Sequence, residues 1–91
     1  MSWASRQVAA ARRLMAAAGW REDFDALTWE AVGTGDASLG QQIRLVFTGG
    51  HCPPGELRQQ AWELHVGGRT EFVGTLEAAF VLAEIRKGEM S

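Results

Sequence analysis

The sequence predicts an α+β fold: an N-terminal helix, a three- to four-stranded antiparallel sheet and a C-terminal helix, with both helices on one face of the sheet. Three observations carry this prediction. Two short stretches of alternating apolar and polar residues flank a glycine pair within residues 62–73, and apolar residues at helical spacing occur both after this unit and at the start of the chain. With 91 residues, 46% of them hydrophobic, the chain is expected to form a single compact domain, 1–91.

The first helix is predicted to begin at Ser2 or Ser5, either of which can act as the N-cap, and to end near Gly19. At about 100° per residue, one side of this helix is apolar. It carries Ala4, Val8, Ala11, Met15 and Ala18, with Leu14 beside them. Because most of these residues are small, such a helix could approach a sheet closely.

Residues 20–32 fit either a helix or a strand. Apolar residues recur at helical spacing through Trp20, Phe24 and Leu27, whereas Leu27, Trp29 and Ala31 alternate as in a strand. The β-preferring residues in the segment and the glycine-rich turn at 33–36 favour the strand. Periodicity alone leaves both readings open.

Two further stretches predict strands more firmly. In residues 41–48, Ile43, Leu45 and Phe47 point to one side of a strand. A loop rich in glycine and proline occupies 49–55, and residues 57–66 are expected to lead into a hairpin. Its strands are Trp62–Val66 and Arg69–Val73, joined by two glycines that can both adopt the positive φ of a type I′ turn.

The last helix is predicted to begin after Thr75, its N-cap, and to run from Leu76 to about Arg86. Its apolar residues fall into two groups on opposite sides. The first group is Leu76, Ala79, Phe80 and Ala83, and the second is Ala78, Val81, Leu82 and Ile85. Because a surface helix needs one apolar stripe, we expect the second group to be covered by the first helix or by a partner.

Few residues suggest catalysis or metal binding. His51 and Cys52 are adjacent in a loop and His65 lies in a strand, but a structural zinc site usually has four ligands. Asp23 and Asp25 are interpreted as parts of a solvated turn. We therefore expect a protein that is not an enzyme, with no catalytic residues, no cofactor and no metal; a thiol- or metal-dependent site centred on Cys52 is the alternative enzyme hypothesis.

The two-sided last helix and the four tryptophans favour protein binding as the function. We expect a small inhibitor, adaptor or accessory factor, including the kind encoded by phages and mobile elements. The predicted partner-binding residues are Trp3, Ala78, Leu82 and Ile85. Self-association as a homodimer through the last helix is part of this hypothesis.

The alternative function is nucleic-acid binding by the first helix and the open sheet face. Its predicted residues are Arg6, Arg12, Arg13 and Arg21. Arginine binds phosphate well, but a net charge of −2 is unusual for a nucleic-acid-binding domain. The order of elements resembles that of double-stranded-RNA-binding domains in topology alone, and no family is assigned.

A cytoplasmic location is expected, because a lone cysteine excludes an intrachain disulfide and removes the need for an oxidising compartment. The longest apolar run, 78–83, is far shorter than the roughly 20 residues of a membrane-spanning helix. We therefore expect no membrane association.

Overall fold

The computed structural model describes residues 2–31, 42–49 and 56–89. In chain order its elements are α1 (Trp3–Ala17), β1 (Arg21–Asp23), β2 (Thr28–Glu30), β3 (Ile43–Phe47), a 3-10 helix (Glu56–Gln60), β4 (Trp62–Val66), β5 (Arg69–Gly74) and α2 (Leu76–Glu89). The predicted α+β order of helix, antiparallel sheet and helix is confirmed. The sheet has five strands instead of three to four, in the order β1-β2-β3-β4-β5.

The additional strand comes from the segment expected to be a single strand, because residues 21–30 form a hairpin of β1 and β2. The Asp23 carboxylate accepts hydrogen bonds from the backbone N–H groups of Asp25 (3.2 Å) and Ala26 (3.4 Å). This local bonding turns the chain back between β1 and β2. Leu27 closes the turn with a positive φ of 49°, a conformation uncommon for a residue other than glycine.

Residues 32–41 and 50–55 contain the predicted glycine-rich turn and most of the predicted Gly/Pro loop, with His51 and Cys52. These predictions lie outside the described residues. The chain before β4, where residues from 57 onward were expected to lead into the hairpin, is a 3-10 helix.

One face of the sheet is apolar because residues at alternate positions line up across the strands. Trp29 pairs with Leu45, Leu45 with Leu64, and Leu64 with Phe72. Both helices pack on this face. The buried core is formed by Val8, Ala11, Met15, Trp20, Trp29, Ile43, Leu45, Phe47, Ala61, Trp62, Leu64, Leu76, Ala79 and Ala83.

Three of the four tryptophans, Trp20, Trp29 and Trp62, are buried. The Trp62 ring lies 5.4 Å from that of Trp29, and its indole N–H donates to the Gln7 side chain of α1 over 2.9 Å. Trp20 donates its indole N–H to Glu84 of α2. These two bonds satisfy the polar edge of each ring and tie the helices to each other and to the sheet.

The hairpin of β4 and β5 and the start of α2 match the sequence prediction. Gly67 and Gly68 have φ values of 60° and 81°, as a type I′ turn requires. The Thr75 hydroxyl then accepts the backbone N–H of Ala78 over 3.3 Å, which caps α2. In α1 the equivalent acceptor is Ser2, bonded to the N–H of Ser5 over 3.1 Å.

Candidate protein-binding surface

The outer face of α2, defined here as Ala78, Val81, Leu82 and Ile85, lies opposite the side that packs on the sheet. On the inner side Leu76, Ala79 and Ala83 are buried, and Phe80 is half-buried against the core. On the outer face Val81 is 58% exposed and Ile85 is 51% exposed. Ala78 is exposed as well, and Leu82 is half-buried at the edge of the core. Two large apolar side chains of one helix face thus stand in solvent.

Contacts at the C-terminal end of α2 fix which side of the helix points outward. Lys87 donates to the carbonyl of Ala18, the C-cap of α1, over 2.5 Å, and its ammonium lies 5.5 Å from the Trp20 ring centroid. On the opposite flank Arg86 forms ion pairs with Glu71 of β5 and, at 3.0 Å, with Glu89. Packing and ion pairs therefore fix the orientation of the helix about its own axis.

The charge of Arg86 is secured by the same contacts. The hydrogen bond to Glu71, followed by the attraction of the Glu71 and Glu89 carboxylates, raises the pKa of Arg86 above its ordinary value. The Arg86 guanidinium marks the border between the apolar outer face and β5.

The first helix leaves the outer face open. Its C-terminal end meets α2 through Glu84 and Lys87, which project toward Trp20 and Ala18 and away from the exposed Val81. From the sequence, either the first helix or a partner was expected to cover this face. Within the described part of the chain, the first helix does not cover it.

Trp3, the remaining predicted partner-binding residue, makes its contacts away from the outer face of α2. It is half-buried, with its ring centroid 6.2 Å from that of Phe47, and the Arg58 guanidinium lies 5.0 Å from its centre. Trp3, the first residue of α1, thus packs at the edge of the core, and the structure does not bring it together with Val81 or Ile85.

The arginines of the alternative nucleic-acid site are dispersed. Arg12 pairs with Glu22 of β1 at 2.8 Å, and Arg21 pairs with Glu30 on the open sheet face. Arg6 and Arg13 are exposed on α1. Arg12 and Arg21 each have a carboxylate beside them, which reduces the positive potential available to a phosphate backbone.

The open sheet face carries charged and polar side chains. Arg21, Glu30, Arg44, His65 and Thr70 follow one another across the five strands. Arg44 of β3 pairs with Glu30 of β2 at 3.1 Å, and within β4 His65 contacts Glu63 at 2.9 Å. Cross-strand pairs such as Arg44 with Glu30 stabilise a solvated sheet face.

Among the candidate metal and acid–base groups, His51 and Cys52 lie outside the described residues. Within residues 2–31, 42–49 and 56–89, no group of three or more His, Cys, Asp or Glu side chains is placed to hold a metal ion. Asp23 is engaged in its turn and Asp25 is exposed. In the same ranges no helix is long and apolar enough to cross a membrane.

Sequence reasoning missed two exposed residues. Val81 belongs to the predicted second apolar group but was not selected as a binding residue, although it is more exposed than Ile85; its position beside Ile85 on the helical wheel was the usable signal. Phe24 is 68% exposed at the tip of the β1–β2 hairpin, with the Arg12 guanidinium 5.4 Å from its ring. Treating residues 20–32 as one strand concealed it.

Comparison with known proteins identifies no relative: no family model matches the chain, and neither a curated protein nor a solved structure is significantly similar to it.

Proposed function

We propose that this protein is a small, non-enzymatic protein-binding protein, an inhibitor, adaptor or accessory factor, that acts through the outer face of α2. The observation that supports this most directly is the exposure of Val81 and Ile85 on a helix whose other side packs on the core. Exposed apolar side chains that share one face of a helix are typical of a surface that a partner covers.

The spacing of these residues suits insertion of the helix into a groove of the partner. Ala78, Val81, Leu82 and Ile85 stand at positions i, i+3, i+4 and i+7, the spacing by which an amphipathic helix anchors itself in an apolar groove. Because Ala78 is small, the partner's backbone can approach the N-terminal half of the stripe. Ile85 and Val81 then supply the large contacts.

The stripe alone is smaller than a standard interface. Stable complexes bury about 800 Å² on each partner, whereas the stripe spans little more than two helical turns, about 11 Å. The outer face is therefore the apolar centre of the proposed interface, and the neighbouring charged residues Arg86 and Glu89 form its rim.

The partner is either a second copy of the chain or a different protein, and concentration dependence separates the two. Light scattering from about 5 to 500 µM protein, a range that brackets weak dimers, reports self-association. Capture from the native cell, with the protein as bait and mass spectrometry as readout, reports other partners. The setting that we propose for this binding is the cytoplasm.

The deciding variant is Val81→Glu/Ile85→Glu. Burying two carboxylates against an apolar partner is unfavourable, so we expect dimer formation or partner capture to weaken at least 30-fold. The matched control is Arg13→Glu, which changes an exposed residue of α1 and should leave binding intact. If the double variant binds as the wild type does, or if the wild type is monomeric and captures nothing, the proposal is wrong.

A further inference from the structure

A second surface lies on the β1 side of α1, between this helix and the turn that joins β1 to β2. It is a groove of about 280 Å³. Its lining consists of Ala4, Ser5, Val8, Arg12, Leu27 and Phe47. The floor is apolar, and the two polar residues, Ser5 and Arg12, belong to the exposed side of α1. This surface shares no residue with the outer face of α2.

The shape of the groove depends on an unfavourable backbone conformation at Leu27. The left-handed region is unfavourable for a residue other than glycine, and such residues are concentrated at ligand-binding and catalytic sites. Here the conformation is held by a hydrogen bond from the Phe47 N–H to the Leu27 carbonyl, 3.1 Å long. It places the half-buried Leu27 side chain in the groove wall and leaves Phe24 exposed beside it.

The size of the groove limits what it can hold. Small-molecule sites usually occupy about 300–1,000 Å³, so this groove falls just below that range and fits one bulky apolar side chain. The exposed ring of Phe24, which lies against Arg12, offers further apolar contact at the rim. A segment of a protein that inserts one side chain satisfies both features.

The positive charge of α1 indicates that the residues next to the inserted side chain are acidic. The helix carries Arg6, Arg12 and Arg13 and contains no aspartate or glutamate from residue 3 to residue 17. Arg12 uses its Nε to bond Glu22, and in the described part of the chain no acceptor meets its two terminal nitrogens. A carboxylate that approaches the groove along α1 can therefore form a charge-assisted hydrogen bond with Arg12.

We propose that this groove binds an acidic segment of a partner protein, which inserts one bulky apolar side chain between α1 and Leu27 and places an adjacent carboxylate on Arg12. The proposal does not depend on the outer face of α2. It gives the protein two separate contact surfaces. The outer face of α2 is apolar, and the groove beside α1 is both apolar and basic.

The test uses four synthetic peptides, each with three acidic residues on either side of one Leu, Phe, Trp or Met. Binding is followed by chemical shift changes of the Val8 and Leu27 methyl groups and by anisotropy of a labelled peptide. We expect at least one peptide to shift both residues. Its alanine-centred counterpart and its lysine-flanked counterpart should each bind at least tenfold more weakly.

Two variants locate the binding. Ser5→Phe places a ring over the groove from an exposed position and should weaken binding at least tenfold without disturbing the core. Arg12→Gln removes the charge and should weaken it about fivefold, with the loss reduced at high salt. Ile85→Glu is the matched control and should leave peptide affinity unchanged.

The following outcomes would each overturn the proposal. It fails if none of the peptides shifts Val8 and Leu27, if the lysine-flanked peptides bind equally well, or if a single- or double-stranded oligonucleotide shifts these residues in place of the acidic peptides. If Ile85→Glu abolishes peptide binding while Ser5→Phe does not, the peptide occupies the outer face of α2; the groove proposal then fails and the proposed function stands.

Discussion

The two helices lie on the same face of the sheet, yet they differ in what they present to solvent. Each buries three residues completely or nearly so: Val8, Ala11 and Met15 in α1, and Leu76, Ala79 and Ala83 in α2. The outward side of α1 carries arginines, whereas that of α2 carries Val81 and Ile85. Packing on the sheet therefore explains most of the apolar pattern of α1, from which Leu14 departs with 37% exposure, but only half of that of α2.

This difference shows that an apolar residue of α2 is not necessarily buried within the domain. An apolar residue that contributes nothing to folding is a poor candidate for a structural role and a good candidate for a contact role. Measurements of stability can establish which residues of α2 have a structural role and which have a contact role. They can also show whether the contrast with α1 is correct.

The largest effect is expected for truncation of the inner sides. Met15→Ala and Leu76→Ala each remove a fully buried side chain, so each should lower the free energy of unfolding by about 2–5 kcal/mol in urea titration. Ile85→Ala on the outer face should change it by less than about 0.5 kcal/mol. A loss at Ile85 as large as that at Leu76, in dilute protein, would mean that the outer face is covered within the monomer.

A smaller effect is expected where the two helices meet. Lys87→Met keeps the aliphatic stem but removes the hydrogen bond to the Ala18 carbonyl and the cation above Trp20. We expect a loss of about 1–2 kcal/mol, measured by urea unfolding, because the ammonium also interacts with the negative end of the α1 dipole. Lys87→Arg retains the charge and should recover most of the stability; equal losses in both variants would contradict an electrostatic link.

The N-caps are expected to matter less, and unequally. Thr75→Ala should cost about 1 kcal/mol, since the hydroxyl satisfies a backbone N–H at the first turn of α2. Thr75→Ser is the matched control and should restore stability. Ser2→Ala should cost less because the first turn of α1, residues 3–6, holds no buried side chain, whereas the first turn of α2 holds the buried Leu76. Thermal unfolding monitored by circular dichroism ranks the three variants.

Much of the fold could be predicted because local signals decide it. Two glycines determine the β4–β5 turn, strict alternation determines β3, and Thr75 determines the start of α2. The division of α2 into two apolar groups also follows from spacing alone. That the Leu76 side faces the core, as predicted, depends on the preceding hairpin, which delivers the helix onto the apolar face of the sheet.

The rest could not be predicted because it depends on particular contacts. The β1–β2 turn has no glycine; it relies on the Asp23 carboxylate and on Leu27, whose positive φ is stabilised by Phe47, twenty residues away. Trp20 is buried because Glu84, 64 positions later, accepts its N–H. The groove beside α1 arises from these same contacts, so nothing in the spacing of its residues indicates it.

The smallest effect on stability is expected for the ion pair that joins α1 to β1. Arg12 and Glu22 meet at 2.8 Å, but the Arg12 side chain is 46% exposed, so solvent screens the interaction. Arg12→Gln should cost less than about 1 kcal/mol in urea titration, and the cost should shrink in 1 M salt. A larger loss that salt does not reduce would show that Arg12 is needed for the packing of α1 on the hairpin. In that case the weakened peptide binding expected of this variant would reflect a disturbed groove, and the Ser5→Phe variant alone would locate the site.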